Sequence, residues 1–451
     1  MKVALYVHCF FPNHFHGTET YTLGLAKSLR DLGHQPIVVS GVFQGETAKA
    51  ELVTCYDYEG LSIYCIDKNH VPHASLQETY FQPRMREVHM DLLRALRPDI
   101  IHVTHLINHT AALLDAAKDL GIPAVATFTD FFGFCLNNKL QTASGGLCSG
   151  PNRERTNCFS CAAKAGINQT TARLSEETLT KAAPLITAAC VAFNWARDLP
   201  GLRNTGLAAH LRAIKERPGA LSERYKSYGS AIAPTHFLRT AYEANGLGRP
   251  AIREIPFGVD VDRGSKETPA LDAPLRFGFI GQIAPHKGTG LLVEAFCSLP
   301  VNTTELHIYG DETQYPKYVE TMKARARNHN VVFCGTFGSS EMRGVLDTMD
   351  VLVIPSIWYE NSPLVLLYAL ATHTPVVVSD VAGLTEFVDP DRNGYVFERG
   401  SKKDLKRVLL ELSSNPAECR RRRSTTCYER TTLSMTQEVI GVYQDVLRRV
   451  V

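Results

Sequence analysis

The chain has 451 residues, 44% of them hydrophobic and 21% charged, with a formal net charge of +2. That length suits two domains with their own cores, and the composition is ordinary for a globular protein. No apolar run reaches the roughly 18 residues needed to span a bilayer, and the charge gives no case for a nucleic-acid partner.

The first segment, MKVALYVHCFFP, lacks a cleavable signal layout and reads as a core strand running into a loop. Twelve cysteines in a chain without an export signal point to a reducing cytoplasm. The strand covers Lys2 to Val7. His16-Gly17-Thr18-Glu19 is a small-residue turn, and Thr20 to Leu32 carries apolar residues at helical spacing. Further strands are expected at Pro36 to Val39, Ile100 to Val103, Ala124 to Phe128 and Ala231 to Ala233. His102, His105, His109, Thr129 and Asp130 stand at strand ends, where a parallel sheet projects side chains into a crevice. These are the acceptor-side candidates, although a buried structural role is the commoner fate of any one histidine.

Four cysteines, Cys135, Cys148, Cys158 and Cys161, crowd into a polar, glycine-rich stretch that includes a C-x-x-C pair. Four thiolates suit tetrahedral zinc; an iron–sulfur cluster could use the same ligands, and unpaired thiols are the plain alternative. A structural clasp is the expected role. The other eight cysteines read as small core residues.

Residues 252–274 are turn-rich and proline-rich and read as a linker. Asp260 and Asp262 spell D-x-D but lie within it and are discounted as metal ligands. A second α/β series follows, with strands in FGFIG, LHIYG, VVFCG, VLVIP and VVVS. In the loop GQIAPHKG, Gly281 follows a strand and Lys287 with Gly288 precedes a helix, so the lysine can neutralise a diphosphate leaving group. After VLVIP a loop carries Glu360 and Asn361 to Ser362-Pro363, which reads as a helix start with serine as the cap. The amides of Leu364 and Val365 behind it can face a phosphate. Gly383, after the next strand, permits close backbone approach. Arg420 to Arg423 is the strong basic run. A solvated helix face is the preferred reading, and contact with an anionic membrane is the other.

The stretch VLVIPSIWYENSPLVLLYALATHTPVVVSDVAGLTEF resembles the donor-binding core of the retaining glycosyltransferases of family 4, here with a cysteine-rich loop in the N-terminal half. The resemblance implies the GT-B fold, two Rossmann-like doubly wound α/β domains facing a cleft. The expected boundaries are 1–258 for the acceptor-side domain, 259–274 for the linker, 275–435 for the donor domain and 436–451 for a helix packing back on the first. It also implies that Glu360 contacts donor-sugar hydroxyls and Lys287 the phosphates, with His105 and Asp130 serving the transfer. Gly17 and Thr18 resemble the turn that approaches the donor phosphates. The family pattern has a second glutamate where this chain has Tyr368, an arginine where it has Gln282, and a histidine where it has Thr129. Retaining transfer by the front-face route needs no strong protein base and no catalytic metal, because the leaving phosphate can take the acceptor proton. The expected function is transfer of a sugar from a nucleotide donor to a hydroxyl acceptor in surface polysaccharide or glycolipid synthesis, in the cytoplasm or at the inner face of the membrane. A natural-product glycosyltransferase, a weakly active sugar-nucleotide-binding protein and a GT-B epimerase are the alternatives.

Overall fold

The computed structural model describes residues 1–170, 205–266, 273–300 and 304–449, with isolated positions between 184 and 195. Part of the expected linker therefore lies outside the described residues. Two compact units emerge, Met1–Pro256 with Met435–Val451, and Phe257–Ser434.

The first unit is built on an eight-stranded sheet. Its strands are β1 Lys2–Tyr6, β2 Gln35–Val42, β3 Val53–Tyr58, β4 Leu61–Asp67, β5 Ile100–Val103, β6 Ala124–Thr127, β7 Tyr228–Ala233 and β8 Ile252–Glu254. They run in the order β3-β4-β2-β1-β5-β6-β7-β8. Every pairing is parallel except β3 with β4. That exception is a hairpin absent from the sequence reading. Its turn residues Glu59 and Gly60 have φ of 51° and 74°, the two left-handed positions that a tight two-residue hairpin requires. From Met435 onward the helix Thr432–Arg448 belongs to this unit. Tyr443 is fully buried there, its hydroxyl 2.5 Å from His102 Nδ1.

The second unit holds β9 Leu275–Ile280, β10 Thr304–Tyr309, β11 Val331–Gly335, β12 Val351–Ile354, β13 Val376–Ser379 and β14 Gly394–Phe397. These form one parallel sheet in the order β11-β10-β9-β12-β13-β14. Alternate residues of β12 enter different cores, as side chains on a pleated strand must. Val351 and Val353 join Leu292, Val319 and Leu409 on one face. Leu352 and Ile354 join Leu346, Leu366 and Leu370 on the other. Helices therefore cover both faces, and β12, buried on each, is apolar throughout. The order of strands reverses between β9 and β12, and the carboxyl ends of those strands flank the switch point where such sheets bind ligands.

The arginine run is a solvated face only at Arg421, which is exposed, and it is not an open basic patch. Arg420 and Arg423 are buried and converge on Asp350, which has no exposed surface and also accepts from the Arg276 backbone amide at 2.9 Å. Arg421 and Arg422 pair with Glu418. The run is an internal brace, because a carboxylate removed from water needs charged and hydrogen-bonding partners. The small-core reading of the remaining cysteines also fails in part: Cys55 and Cys427 are exposed, whereas Cys419 is buried. No helix among the described residues is long and apolar enough to cross a membrane.

Replacing Asp350 with Ala should strip several arginines of their shared counter-charge. The second unit should lose about 3–5 kcal/mol, the usual cost of breaking a buried ion pair from one side. Chemical denaturation measures it, and a loss below about 1 kcal/mol would show that the brace is dispensable.

Candidate active site

In the second unit, the site grows from the loops after β9 and β12. Glu360 is buried, and its Oε1 takes three bonds: from Lys287 Nζ at 2.7 Å, Ser356 Oγ at 2.5 Å and Trp358 Nε1 at 3.1 Å. Oε2 takes none of them. Ser356 is itself fixed, its carbonyl accepting from Ser379 Oγ at 2.5 Å. The Lys287 ammonium lies 5.3 Å from the Trp358 ring centre, and the His286 ring packs on that indole at 3.9 Å. Arg399 Nη1 donates to the Ile357 carbonyl at 3.1 Å and steadies the same loop. Ser356, Trp358, His286 and Arg399 were not among the residues singled out from sequence. Ser356 and Trp358 stand near Glu360 in the chain and His286 next to Lys287, but adjacency alone assigns no role, and Arg399 carries no sequence signal.

Two glycines let these loops close together. A Cβ on Gly288 would lie 1.8 Å from the Pro355 carbonyl oxygen, and one on Gly383 would lie 1.6 Å from the Glu360 carbonyl oxygen. Both have φ in the left-handed region, 73° and 84°. Gly281 closes the end of β9, its amide donating to the Tyr309 carbonyl at 3.0 Å, and Gln282 follows it, half-buried.

Ser362 is not the helix cap. The helix runs Leu364–Ala371 with Pro363 at the cap position and no side-chain cap bond. Ser362 is buried in a left-handed conformation, φ 78°, and its Oγ has no hydrogen-bond partner. The first-turn amides of Leu364 and Val365 have no carbonyl within the helix to bond. Asn361 precedes Ser362 and is half-buried. The Tyr368 ring packs against the apolar cluster around Leu366 and Leu370. Burial, and then the charge of Asp260, raise its phenol above the ordinary range.

In the first unit, His102 is fully enclosed, its ring nitrogens 2.5 Å from the Tyr443 hydroxyl and 2.7 Å from Thr127 Oγ1. Burial lowers its pKa to about 3, so it stays neutral and structural. His109 is also fully buried, Nε2 lying 2.7 Å from the Val7 carbonyl. Thr129 donates to the Thr104 carbonyl at 2.7 Å. His105 and Asp130 do come together: Nε2 of the ring meets Oδ2 of the carboxylate. Nδ1 accepts from the Ile107 amide at 3.1 Å, which leaves the ring proton on Nε2, pointed at Asp130. Burial pushes the Asp130 carboxyl up, but His105, the Phe132 amide and Asn138 together hold it below the usual range.

His8, two residues past β1, packs at a tilt against His105 with ring centres 4.2 Å apart. Glu19, fully buried, lies 3.4 Å from His8 Nε2 and accepts from Cys9 Sγ at 2.8 Å. Among the described residues, only His8, Cys9 and Glu19 bring three potential metal-ligand atoms within 4.8 Å of one another. Gly17 and Thr18 open the helix Gly17–Asp31, and a Cβ on Gly17 would meet no atom within 4 Å.

The four cysteines of the loop line one small cavity with Asn137, Gln141 and Asn157. Burial, then the neighbouring thiols, push Cys158 up to about 12 and Cys161 up to about 11.

Residues 15–141 match the family model described as Glycosyltransferase Family 4, and residues 274–415 match Glycosyl transferases group 1. The chain is a retaining glycosyltransferase of family 4. It is similar over its whole length, at 23% identity and across 98% of the relative, to a GDP-mannose-dependent alpha-mannosyltransferase of Mycolicibacterium smegmatis. Among solved structures, sucrose-phosphate synthase from Thermosynechococcus elongatus matches with a TM-score of 0.64 at 14% identity, covering 99% of each chain. Anabaena HepE, solved with UDP and glucose, matches with a TM-score of 0.62 at 14% identity, covering 98% of this chain and 99% of that one. At these identities the solved structures establish the GT-B fold of the glycosyltransferase.

Gly383→Ala tests the loop closure. It should destabilise the glycosyltransferase by more than about 1 kcal/mol, because alanine is strained at positive φ and its methyl collides with the Glu360 carbonyl. Gly344→Ala, in a helix with open space around it, should be neutral or mildly stabilising in the same denaturation assay. Equal effects from the two would remove the constraint.

Proposed function

We propose that this glycosyltransferase moves a hexose from a nucleotide sugar to a hydroxyl of a growing surface polysaccharide or a glycolipid, with Glu360 and Lys287 as the donor-handling pair. The observation that carries this reading is the division of labour on Glu360. Oε1 is committed to Lys287, Ser356 and Trp358, while Oε2 is left to accept from a sugar hydroxyl. Lys287 keeps further N–H donors for the diphosphate. Gly281, Gln282 and the amides of Leu364 and Val365 are the proposed phosphate contacts, with Tyr368, Asn361 and Ser362 near the sugar and ribose. In the first unit, Gly17 and Thr18 are proposed to approach the donor phosphates and the His105–Asp130 pair to receive sugar hydroxyls.

The bond from the anomeric carbon to phosphate oxygen breaks, and the acceptor oxygen bonds that carbon on the same face. The acceptor proton passes to the departing phosphate. Lys287 stabilises the charge that gathers on the leaving group, which is the largest service a protein performs in such a step. No catalytic metal is needed.

GDP-mannose is the first donor to try, because full-length relatives carry GDP-mannose-dependent mannosyl transfer in their names; UDP-glucose is the second. The cysteines of the described residues are free thiols, which supports a reducing cytoplasm as the site of action. With Arg420 and Arg423 buried and Arg421 and Arg422 paired with Glu418, the run offers no open basic patch for a membrane contact.

Lys287→Ala and Glu360→Ala should each lower turnover of the accepted donor by about 100-fold or more, the range for losing one charge-stabilising contact. Near-normal turnover in a folded variant would take that residue out of the site.

A structural zinc ion on Cys135, Cys148, Cys158 and Cys161 belongs to the same reading. Its support is the shared cavity, the amide of Leu140 3.4 Å from Cys135 Sγ and the amide of Gly150 3.4 Å from Cys148 Sγ. Burial holds Cys135, Cys158 and Cys161 above the ordinary thiol range, and Arg217, Arg155 and Lys164 offset only part of that rise. Tetrahedral zinc needs sulfurs about 3.8 Å apart, closer than the four thiols stand together, so side chains must rotate inward as their protons leave to solvent. Purified protein should hold about one equivalent of zinc bound by sulfur at roughly 2.3 Å. Metal-free protein with a melting temperature indifferent to added zinc would refute the clasp.

A further inference from the structure

The cysteine loop is joined to the His105–Asp130 pair through two adjacent asparagines, one hydrogen-bonded to the thiols and the other to the carboxylate. Asn137 faces the thiols: its Oδ1 accepts from Cys135 Sγ at 2.8 Å and its Nδ2 donates to the Gln141 carbonyl at 2.9 Å, with Cys161 Sγ 3.7 Å away. Asn138 faces the opposite way. Its Nδ2 donates to Asp130 Oδ2 at 3.0 Å, and its Oδ1 accepts from the Phe131 amide at 2.9 Å. Cys135 closes the circuit, its amide donating to the Phe131 carbonyl at 2.8 Å. Asp130, Phe131, Cys135, Asn137 and Asn138 therefore form one small ring of contacts with thiols on one side and the carboxylate on the other.

The backbone of this ring is strained. Asn138 has φ 57° and Leu140 φ 50°. Asparagine tolerates the left-handed region, but leucine does so only where its surroundings hold it. That hold runs through the cysteine segments: Leu140 is buried, its amide faces Cys135 Sγ at 3.4 Å and its carbonyl accepts from the Cys148 amide at 2.9 Å. A cross-link among the four thiols would lock the same segments together.

We infer that a metal ion on the four thiols acts as a positioning device, fixing Asn138 and through it the orientation of Asp130 and His105. The inference rests on the zinc reading above. Asn138 is a positioning residue here, not a catalytic one. The metal ties residue 135 to residues 148, 158 and 161, so the turn carrying Asn138 cannot relax without breaking a metal–sulfur bond. Asp130 then keeps two fixed donors, Asn138 and the Phe132 amide at 3.0 Å, and presents a constant acceptor to the His105 ring.

The test is histidine-selective ¹⁵N NMR on the full-length protein, with zinc as the probe. The His105 signal is assigned by its loss in His105→Gln. Removing zinc with a chelator should shift the His105 ring resonances, and adding zinc back should restore them. His307 and His329, in the second unit, should not move. Asn138→Ala with zinc bound should already show the shifted His105 signal, and chelation should then move it no further. Cys158→His, which keeps a metal ligand, should behave as wild type, whereas Cys158→Ser should resemble the chelated protein. If Cys158→Ser does not fold, the chelated wild type carries that arm. Protein that binds zinc but whose His105 signal ignores its removal would overturn the coupling alone. Chelation shifts of equal size in wild type and Asn138→Ala would overturn it too. Protein that binds no metal would overturn the zinc reading and the coupling with it.

Discussion

A carboxylate taken out of water must be surrounded by donors, and in the second unit that requirement falls on Glu360. Three donors from different points of the chain meet one of its oxygens: Lys287 from the loop after β9, and Ser356 and Trp358 from the loop after β12. Meeting them brings the loops after β9 and β12 into contact at Gly288, while Gly383, in the loop after β13, lets a third loop reach Glu360; neither has a side chain at its point of closest approach. Each donor also draws on the sheet behind it, since Ser379, at the end of β13, holds Ser356. The site is thus a consequence of satisfying one buried charge at the switch point of a parallel sheet.

The same rule organises two other places. Asp350, with no exposed surface, gathers Arg276, Arg420 and Arg423 at the amino end of β12. Asp130, in the first unit, gathers His105, Asn138 and the Phe132 amide. Asp350 is sealed and serves stability. Asp130 and Glu360 retain some exposure, 14% and 8% of the side chain, as the ligand contacts proposed for them require. Burial separates the sealed carboxylate from these two.

Much of the architecture was legible in the sequence because β1, β5, β9, β12 and β13 are short apolar runs bounded by turns, the mark of strands buried on both faces. The hairpin β3–β4 and the strand β14 escaped notice for the opposite reason. They lie at sheet edges, and their mixed polar and apolar residues give a weaker pattern. Glu360 and Lys287 could be picked out together because their motifs resemble those of a known family. Ser356 and Trp358 could not, since their role depends on side-chain geometry across space. The histidines illustrate the limit most clearly. His102, His105 and His109 share one strand end and its loop, yet two are sealed in the core and one meets Asp130. Nothing in the spacing separates them. The arginine run was misread because a run of like charge looks solvent-facing until its buried counter-charge, 70 or more positions away in the chain, is in view.

The central claim is that the loops after β9 and β12 hold the donor through Lys287 and Glu360. A crystal structure of the protein with GDP-mannose or UDP-glucose bound tests it most directly. The account predicts Lys287 Nζ within hydrogen-bond reach of a phosphate oxygen and Glu360 Oε2 accepting from a hydroxyl of the donor sugar. A nucleotide sugar seated elsewhere, with the Lys287–Glu360 pair undisturbed, would contradict it.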